Sequence, residues 1–202
     1  MPLLKRITLL FALAFTLHLP SAVAARSLVI SVYPHNELAA ISDEQFNKDY
    51  FQHWLDEMRL FTNHPIEVIF KRNVPGITDI DYSDMSSLQL LETFSQQIPE
   101  RSYLNKHILL TEGVYDRSGL NYNAGLAYEK GVTAIASITT YSSAAHEIGH
   151  MLSATHEDAE VKFNGWVCET YTHPRVPLRS NCYRYSDKNR QNIADYIQAN
   201  SR

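Results

Sequence analysis

Apolar and polar positions along the chain change period several times, and each change marks an element. Residues 27–32 (SLVISV) form a continuous apolar run of the length of a buried strand, and residues 66–70 (IEVIF) alternate like a second strand. Between them, residues 42–61 place Phe46, Tyr50, Trp54, Leu55 and Met58 on one face of a helix that ends before His64-Pro65. A loop carrying Val74-Pro75-Gly76 and several aspartates follows, then a second helix over about 86–98, stopped by Pro99. Residues 107–110 (HILL), 125–128 (GLAY) and 133–138 (TAIASI) read as three further strands, with Gly113, Gly119 and Gly131 at the turns between them. Another helix starts near Ser142 or Ser143, either of which could cap it. Beyond residue 156 the pattern is irregular until Ser186-Asp187, which can cap a last helix with Ile193, Tyr196 and Ile197 on one stripe. Strands alternating with helices imply an α/β (α+β) fold, a mixed sheet with helices packed on it.

The N-terminus departs from this layout. Lys5 and Arg6 precede an apolar run up to Leu19, followed by Pro20 and small residues, the pattern of a signal peptide over residues 1–24 cut after Ala24. That run is shorter than the roughly 20 residues that span a bilayer, so no membrane anchor is expected in the mature form. Cleavage would leave residues 25–202 as a single domain, exported to the cell exterior or to a periplasm. Few residues then precede the first strand, so no inhibitory propeptide is expected. Losing Lys5 and Arg6 from the 18 basic residues, with all 22 acidic ones kept, moves the net charge from −4 to about −6. Such a surface repels phosphate backbones, and no nucleic-acid partner is expected. Cys168 and Cys182 are the two cysteines, and in an exported chain they would pair as a disulfide.

The candidate chemistry lies in His146-Glu147-Ile148-Gly149-His150 and in His156. Residues four apart on a helix share a face, so His146 and His150 can bind one metal ion, while Glu147, one step round, can reach a water on that ion. If the helix continued, His156 would lie about 9 Å further along the axis, on another face. The helix must therefore end near Ser153 for His156 to return as a third ligand. Three imidazoles with one open position form a catalytic Zn2+ arrangement. Glu169 or Glu160 could instead supply the third ligand, as in gluzincin-type peptidases, and a secreted binding protein that keeps the metal without turnover is the non-enzymatic alternative.

These positions resemble the metzincin zinc peptidases, whose motif is H-E-x-x-H-x-x-G-x-x-H followed by a methionine-containing turn. The resemblance implies that His146, His150 and His156 are zinc ligands, that Glu147 is the catalytic general base and acid of a zinc endopeptidase, and that the partner is a protein or peptide substrate met by a monomer. Leu109-Leu110-Thr111 followed by Gly125-Leu126-Ala127-Tyr128 looks like the third and fourth strands of adamalysin-type (reprolysin) domains, the fourth being the edge strand along which substrate lies. Cys168, and then Tyr185-Ser186 before a terminal helix, fit that layout. The implied fold is a mostly parallel, five-stranded twisted sheet with an antiparallel edge strand. An upper subdomain of about 25–156 would contain the zinc helix, and a small irregular lower one of about 157–202 would end in a helix.

Two positions depart from the family. Ser153 stands where the motif has glycine, and a left-handed serine costs on the order of 1 to 2 kcal/mol unless its hydroxyl bonds locally. No methionine comes after His156, the four being Met1, Met58, Met85 and Met151, so the floor beneath the metal must come from elsewhere, such as residues 168–172. Tyr171, Tyr183 and Tyr185 invite a role as oxyanion donors but are expected more often to pack. Glu157 could brace His156 or remain a solvated acid.

Overall fold

A computed structural model of the protein describes residues 26–99, 102–119, 121–163, 165–176 and 179–201. The signal peptide read over residues 1–24 lies outside them.

The chain opens with β1 (Leu28–Pro34), then a helix in two parts, α1 (Asp43–Phe46) and α2 (Gln52–Phe61), joined by one wide π-type turn at Asn47–Phe51. β2 (Ile66–Phe70), α3 (Ser87–Gln97) and β3 (Asn105–Thr111) come next. A hairpin of β4 (Tyr115–Ser118) and β5 (Asn121–Asn123) leads into β6 (Gly125–Ala127), β7 (Thr133–Ser137) and α4 (Ser143–Met151). The remainder holds β8 (Val161–Phe163), β9 (Val167–Glu169), β10 (Ser180–Asn181) and α5 (Asp187–Asn200).

Five strands form the main sheet in the order β2-β1-β3-β7-β6. The first four pair in parallel and β6 runs antiparallel to β7, with Gly125 opposite Ala136 and Ala127 opposite Ala134. This is the mostly parallel sheet with an antiparallel edge that the strand pattern and the resemblance implied. Both faces are covered, as an apolar parallel sheet requires. Leu28, Ile30 and Val32 of β1 with Ile108 and Leu110 of β3 pack against α2, α4 and α5, while Tyr33, Leu109 and Ile135 pack against Leu90, Leu91 and Phe94 of α3.

Local chemistry explains where the helices begin. Ser42 accepts from the Gln45 amide, Ser86 and Gln89 complete a reciprocal capping box, and Ser186 accepts from the Asn189 amide. The expected serine cap on α4 is absent. Ser142 is itself helical in backbone, so its hydroxyl is not aimed at the free amides of the first turn, and the buried Ser143 hydroxyl has no partner among the described residues. The wide turn at Asn47–Phe51 adds a residue to the helix and moves the apolar stripe, so Phe51 is fully buried while Tyr50 and Leu55 are only partly so.

The stretch after residue 156 is more ordered than its pattern suggested. β8, β9 and β10 form a small sheet, and the Cys168–Cys182 disulfide joins β9 to the residue after β10. Strands of two or three residues are too short to show an alternating pattern. The β4–β5 hairpin was equally hidden, being polar and mostly exposed. Ile193, Tyr196 and Ile197 of α5 do form the buried stripe, within the same core cluster as β1 and α2. Among the described residues no helix is long and apolar enough to cross a membrane.

Candidate metal centre

Helix α4 ends at Met151 and closes in a Schellman turn: the Ala154 amide donates to Gly149 O at 2.9 Å and the Ser153 amide to His150 O at 3.0 Å. Ser153 takes the left-handed conformation this turn needs, with φ of 80°. Among the described residues its hydroxyl makes no hydrogen bond that would offset the strain, so serine holds the position by virtue of the turn alone. The break comes early enough to bring His156 back beside the helix.

The three imidazoles converge. The Nε2 atoms of His146, His150 and His156 are each 3.0 Å from the other two. The Nδ1 of His146 lies 2.7 Å from Tyr171 O, and that of His150 2.9 Å from Ala154 O. A carbonyl can only accept, so both Nδ1 atoms carry the proton and both Nε2 atoms present lone pairs. Facing lone pairs repel unless a cation lies between them, and neutral imidazole is the ligand form zinc takes. Three zinc–nitrogen bonds of about 2.0–2.1 Å at tetrahedral angles need nitrogens about 3.3–3.4 Å apart, within a few tenths of the observed triangle. The residues present therefore fit a zinc ion. Burial, with the neighbouring His150 and His156 adding to it, pushes His146 down to about 3, and burial lowers His150 as well, so both are held neutral for binding.

Glu147 lies on the same helix but turns toward the sheet edge. Its side chain abuts Gly125 of β6 and is only 6% exposed. Burial raises its carboxyl to about 8, an effect that a cation nearby would oppose. Leu126 and Ala127 are partly buried against the two cores, and Tyr128 projects into solvent. β6 is the last strand of the sheet, so its outer edge has no partner strand among the described residues. The turn after it is tied to the metal helix, the Lys130 amide donating to His150 O at 2.9 Å.

The other candidates separate from this centre. Glu169 is buried but accepts from the Val176 amide and from Arg179, and Glu160 pairs with Lys162 at 2.7 Å, so it is His156 that joins the histidine pair. Glu157 is exposed. Tyr185 donates to Ala145 O at 2.6 Å and accepts from Trp54 Nε1, which commits its hydroxyl to the underside of α4. The Tyr171 ring is buried 5.0 Å from Tyr185, and the Tyr183 ring lies tilted against His53, 4.6 Å between centroids. The floor beneath the helix is made jointly by residues 171–172 and by Tyr185. A Cβ on Gly149 would lie 2.7 Å from the Tyr185 ring and 3.0 Å from Thr172 Cγ2, so glycine in the metal motif is what lets them approach.

One residue without a signal in the sequence stands out. Asn189 of α5 is fully buried, with Oδ1 accepting from the Thr155 amide at 2.9 Å and Nδ2 donating to Thr155 O at 2.9 Å and to Thr172 Oγ1 at 2.8 Å. It fixes both backbone groups of the residue preceding His156.

Neither a family model nor a curated protein sequence matches the chain. Its fold does match solved structures. Metalloproteinase-II from Bacteroides fragilis superposes with a TM-score of 0.62 at 20% identity, covering 87% of this chain and 54% of the other, so the chain spans about half the length of that protein. Archaemetzincin from Methanopyrus kandleri gives 0.56 at 15% identity over 85% of this chain and 96% of the other. A zinc-dependent peptidase from Methanocorpusculum labreanum gives 0.50 at 16%, over 81% and 99%. The chain thus shares the fold of these structures, and its His146, His150 and His156 form a group that could hold a metal ion.

Proposed function

We propose that this protein is an exported, zinc-dependent endopeptidase of the metzincin type. The observation that carries the reading is the convergence of three Nε2 atoms at 3.0 Å, with a buried glutamate next in sequence to the first of them and set against the open sheet edge.

His146, His150 and His156 would hold the zinc. When bound, zinc acidifies a water and polarises a carbonyl. Glu147 accepts the proton of the attacking water and returns it to the leaving amine. Its apolar, largely dry surroundings strengthen the pull of the carboxylate on that proton. The unpaired edge of residues 125–128 receives the peptide backbone by strand addition, so main-chain hydrogen bonds supply affinity without demanding a particular sequence. Adamalysin-type character rests on the succession of β3 and β6 and on the terminal helix after Tyr185-Ser186.

Residues 25–202 act as one catalytic unit and as a monomer, freed from the signal peptide at 1–24. The Cys168–Cys182 disulfide suits an oxidising compartment. The test is hydrolysis of a peptide library by the purified protein, with and without chelator, and with zinc restored. Internal cleavage that is lost on chelation and recovered with zinc supports the reading. Trimming confined to peptide ends overturns the endopeptidase assignment, and chelator-insensitive hydrolysis overturns the metal mechanism.

A further inference from the structure

Gly125 sits where any other residue would collide with the glutamate of the metal helix. A Cβ there would lie 2.5 Å from Oε1, 2.7 Å from Cγ and 2.8 Å from Cδ of Glu147. The backbone of Gly125 is not in the left-handed region, unlike Gly76, Gly119 and Gly165, so the demand for glycine is steric rather than conformational. The strand is also held in place. Gly125 is in register with Ala136, and the Ser137 amide donates to Ala124 O at 2.7 Å. Asp116 accepts from the Ser87 amide at the start of α3 and from Asn123 Nδ2 at 2.8 Å, which pins the hairpin that feeds β6. The two backbones are fixed, Glu147 on α4 and β6 hydrogen-bonded to β7, so what gives way to a Cβ is the glutamate side chain.

We infer that Gly125 is a positioning residue for the reaction, its missing Cβ being the space that the Glu147 side chain occupies. This rests on the reading of Glu147 as the proton carrier. The edge strand then does two things at once. Its outer edge takes the peptide backbone, and its inner surface sets how far the carboxylate stands from the bond to be cut. A side chain at 125 displaces the carboxylate while leaving His146 and His150 held by their own anchors, Tyr171 O and Ala154 O.

The test compares the native protein, Gly125→Ala, Glu147→Ala and the double variant by thermal melting, zinc content and steady-state kinetics on a cleaved peptide. Gly125→Ala is expected to lower Tm by about 5 °C in the native background. In the Glu147→Ala background the clash is gone and the drop should shrink to about 1 °C. Zinc content stays stoichiometric. With a displacement of about 1 Å, kcat falls about 100-fold while KM moves less than about 3-fold. The double variant is no slower than Glu147→Ala alone. An equal Tm drop in both backgrounds overturns the proposal, as does an unchanged kcat in a zinc-loaded Gly125→Ala. Should Gly125→Ala alone fail to fold, a folded, zinc-loaded double variant reports the same coupling, and an unfolded one overturns it. If Glu147→Ala cleaves as fast as the native protein, the proton-carrier reading falls and takes the proposal with it. Lost Tm coupling with an inactive Glu147→Ala overturns the proposal alone.

Discussion

Ser153 and Asn189 show how single residues place the third histidine. Ser153 carries the left-handed turn that ends α4, with φ of 80°, and glycine would adopt it without the Cβ strain. Relief of about 1 to 2 kcal/mol is partly offset by the greater freedom of glycine in the unfolded chain, so Ser153→Gly should stabilise by about 0.5 to 1 kcal/mol in a denaturant melt, with zinc content unchanged. A destabilised variant would mean that the serine makes a compensating contact. Asn189 acts from the other side, through both backbone groups of Thr155. Asn189→Ala leaves those partly buried groups unpaired and should cost about 2 kcal/mol in stability. With His156 less firmly placed, competition against a metallochromic chelator should show zinc affinity falling about 10- to 100-fold. Native affinity in a folded variant would show that Thr155 needs no such clamp. The spacing of His146, His150 and His156 made their convergence legible, and the motif made Ser153 conspicuous. Asn189 was not legible because its partners lie 17 and 34 residues away. The steric role of Gly125 was hidden for the same reason, since nothing in GLAY reveals that a glutamate from another element fills its Cβ space.

At the scale of elements, β3 and α5 meet through a lysine that no apolar pattern would place there. Lys106 is 0% exposed, its Nζ donating to Gly131 O at 2.7 Å and to Tyr196 OH at 2.8 Å, and lying over the Tyr196 ring. Both acceptors are neutral, and desolvation pushes the amine down to about 7. In the unfolded chain it titrates near about 10.4, so between these values the unfolded state binds more protons and stability rises with pH. The penalty is full below about pH 7 and is progressively relieved up to about pH 10. Between pH 6 and pH 9 the native protein should gain about 2 kcal/mol relative to Lys106→Met. Urea melts of the two proteins across that range check this, and parallel pH curves would contradict it. The polar Asn105 and Lys106 also explain why the strand read at 107–110 begins two residues earlier in the molecule. Four of the five main strands were legible because each contains an apolar run or alternation of four or more residues, and the three-residue β6 was read within the longer stretch 125–128. β4, β5 and β8–β10 were not, being short, polar or exposed and held by register and a disulfide rather than by burial.

On the scale of the whole molecule, the sheet, the metal helix and the terminal helix form one mutually dependent support. Tyr185 lies under α4, and its amide donates to Glu57 of α2, which also takes Arg190 of α5 in a two-pronged ion pair. The second half of the chain thus reaches back beneath the helix that presents the histidines. Fold class was readable from the succession of strands and helices, while this underside was not, because it joins Glu57 to residues 128 and 133 positions later. In the proposed function the arrangement serves zinc-dependent hydrolysis with Glu147 as general base, and the most direct measurement is peptide hydrolysis by the native protein and by Glu147→Ala at equal zinc content. The account predicts that the variant keeps its metal and loses about 1000-fold or more in kcat, the loss expected when a positioned general acid and base is removed. Equal rates in two equally loaded proteins would contradict it.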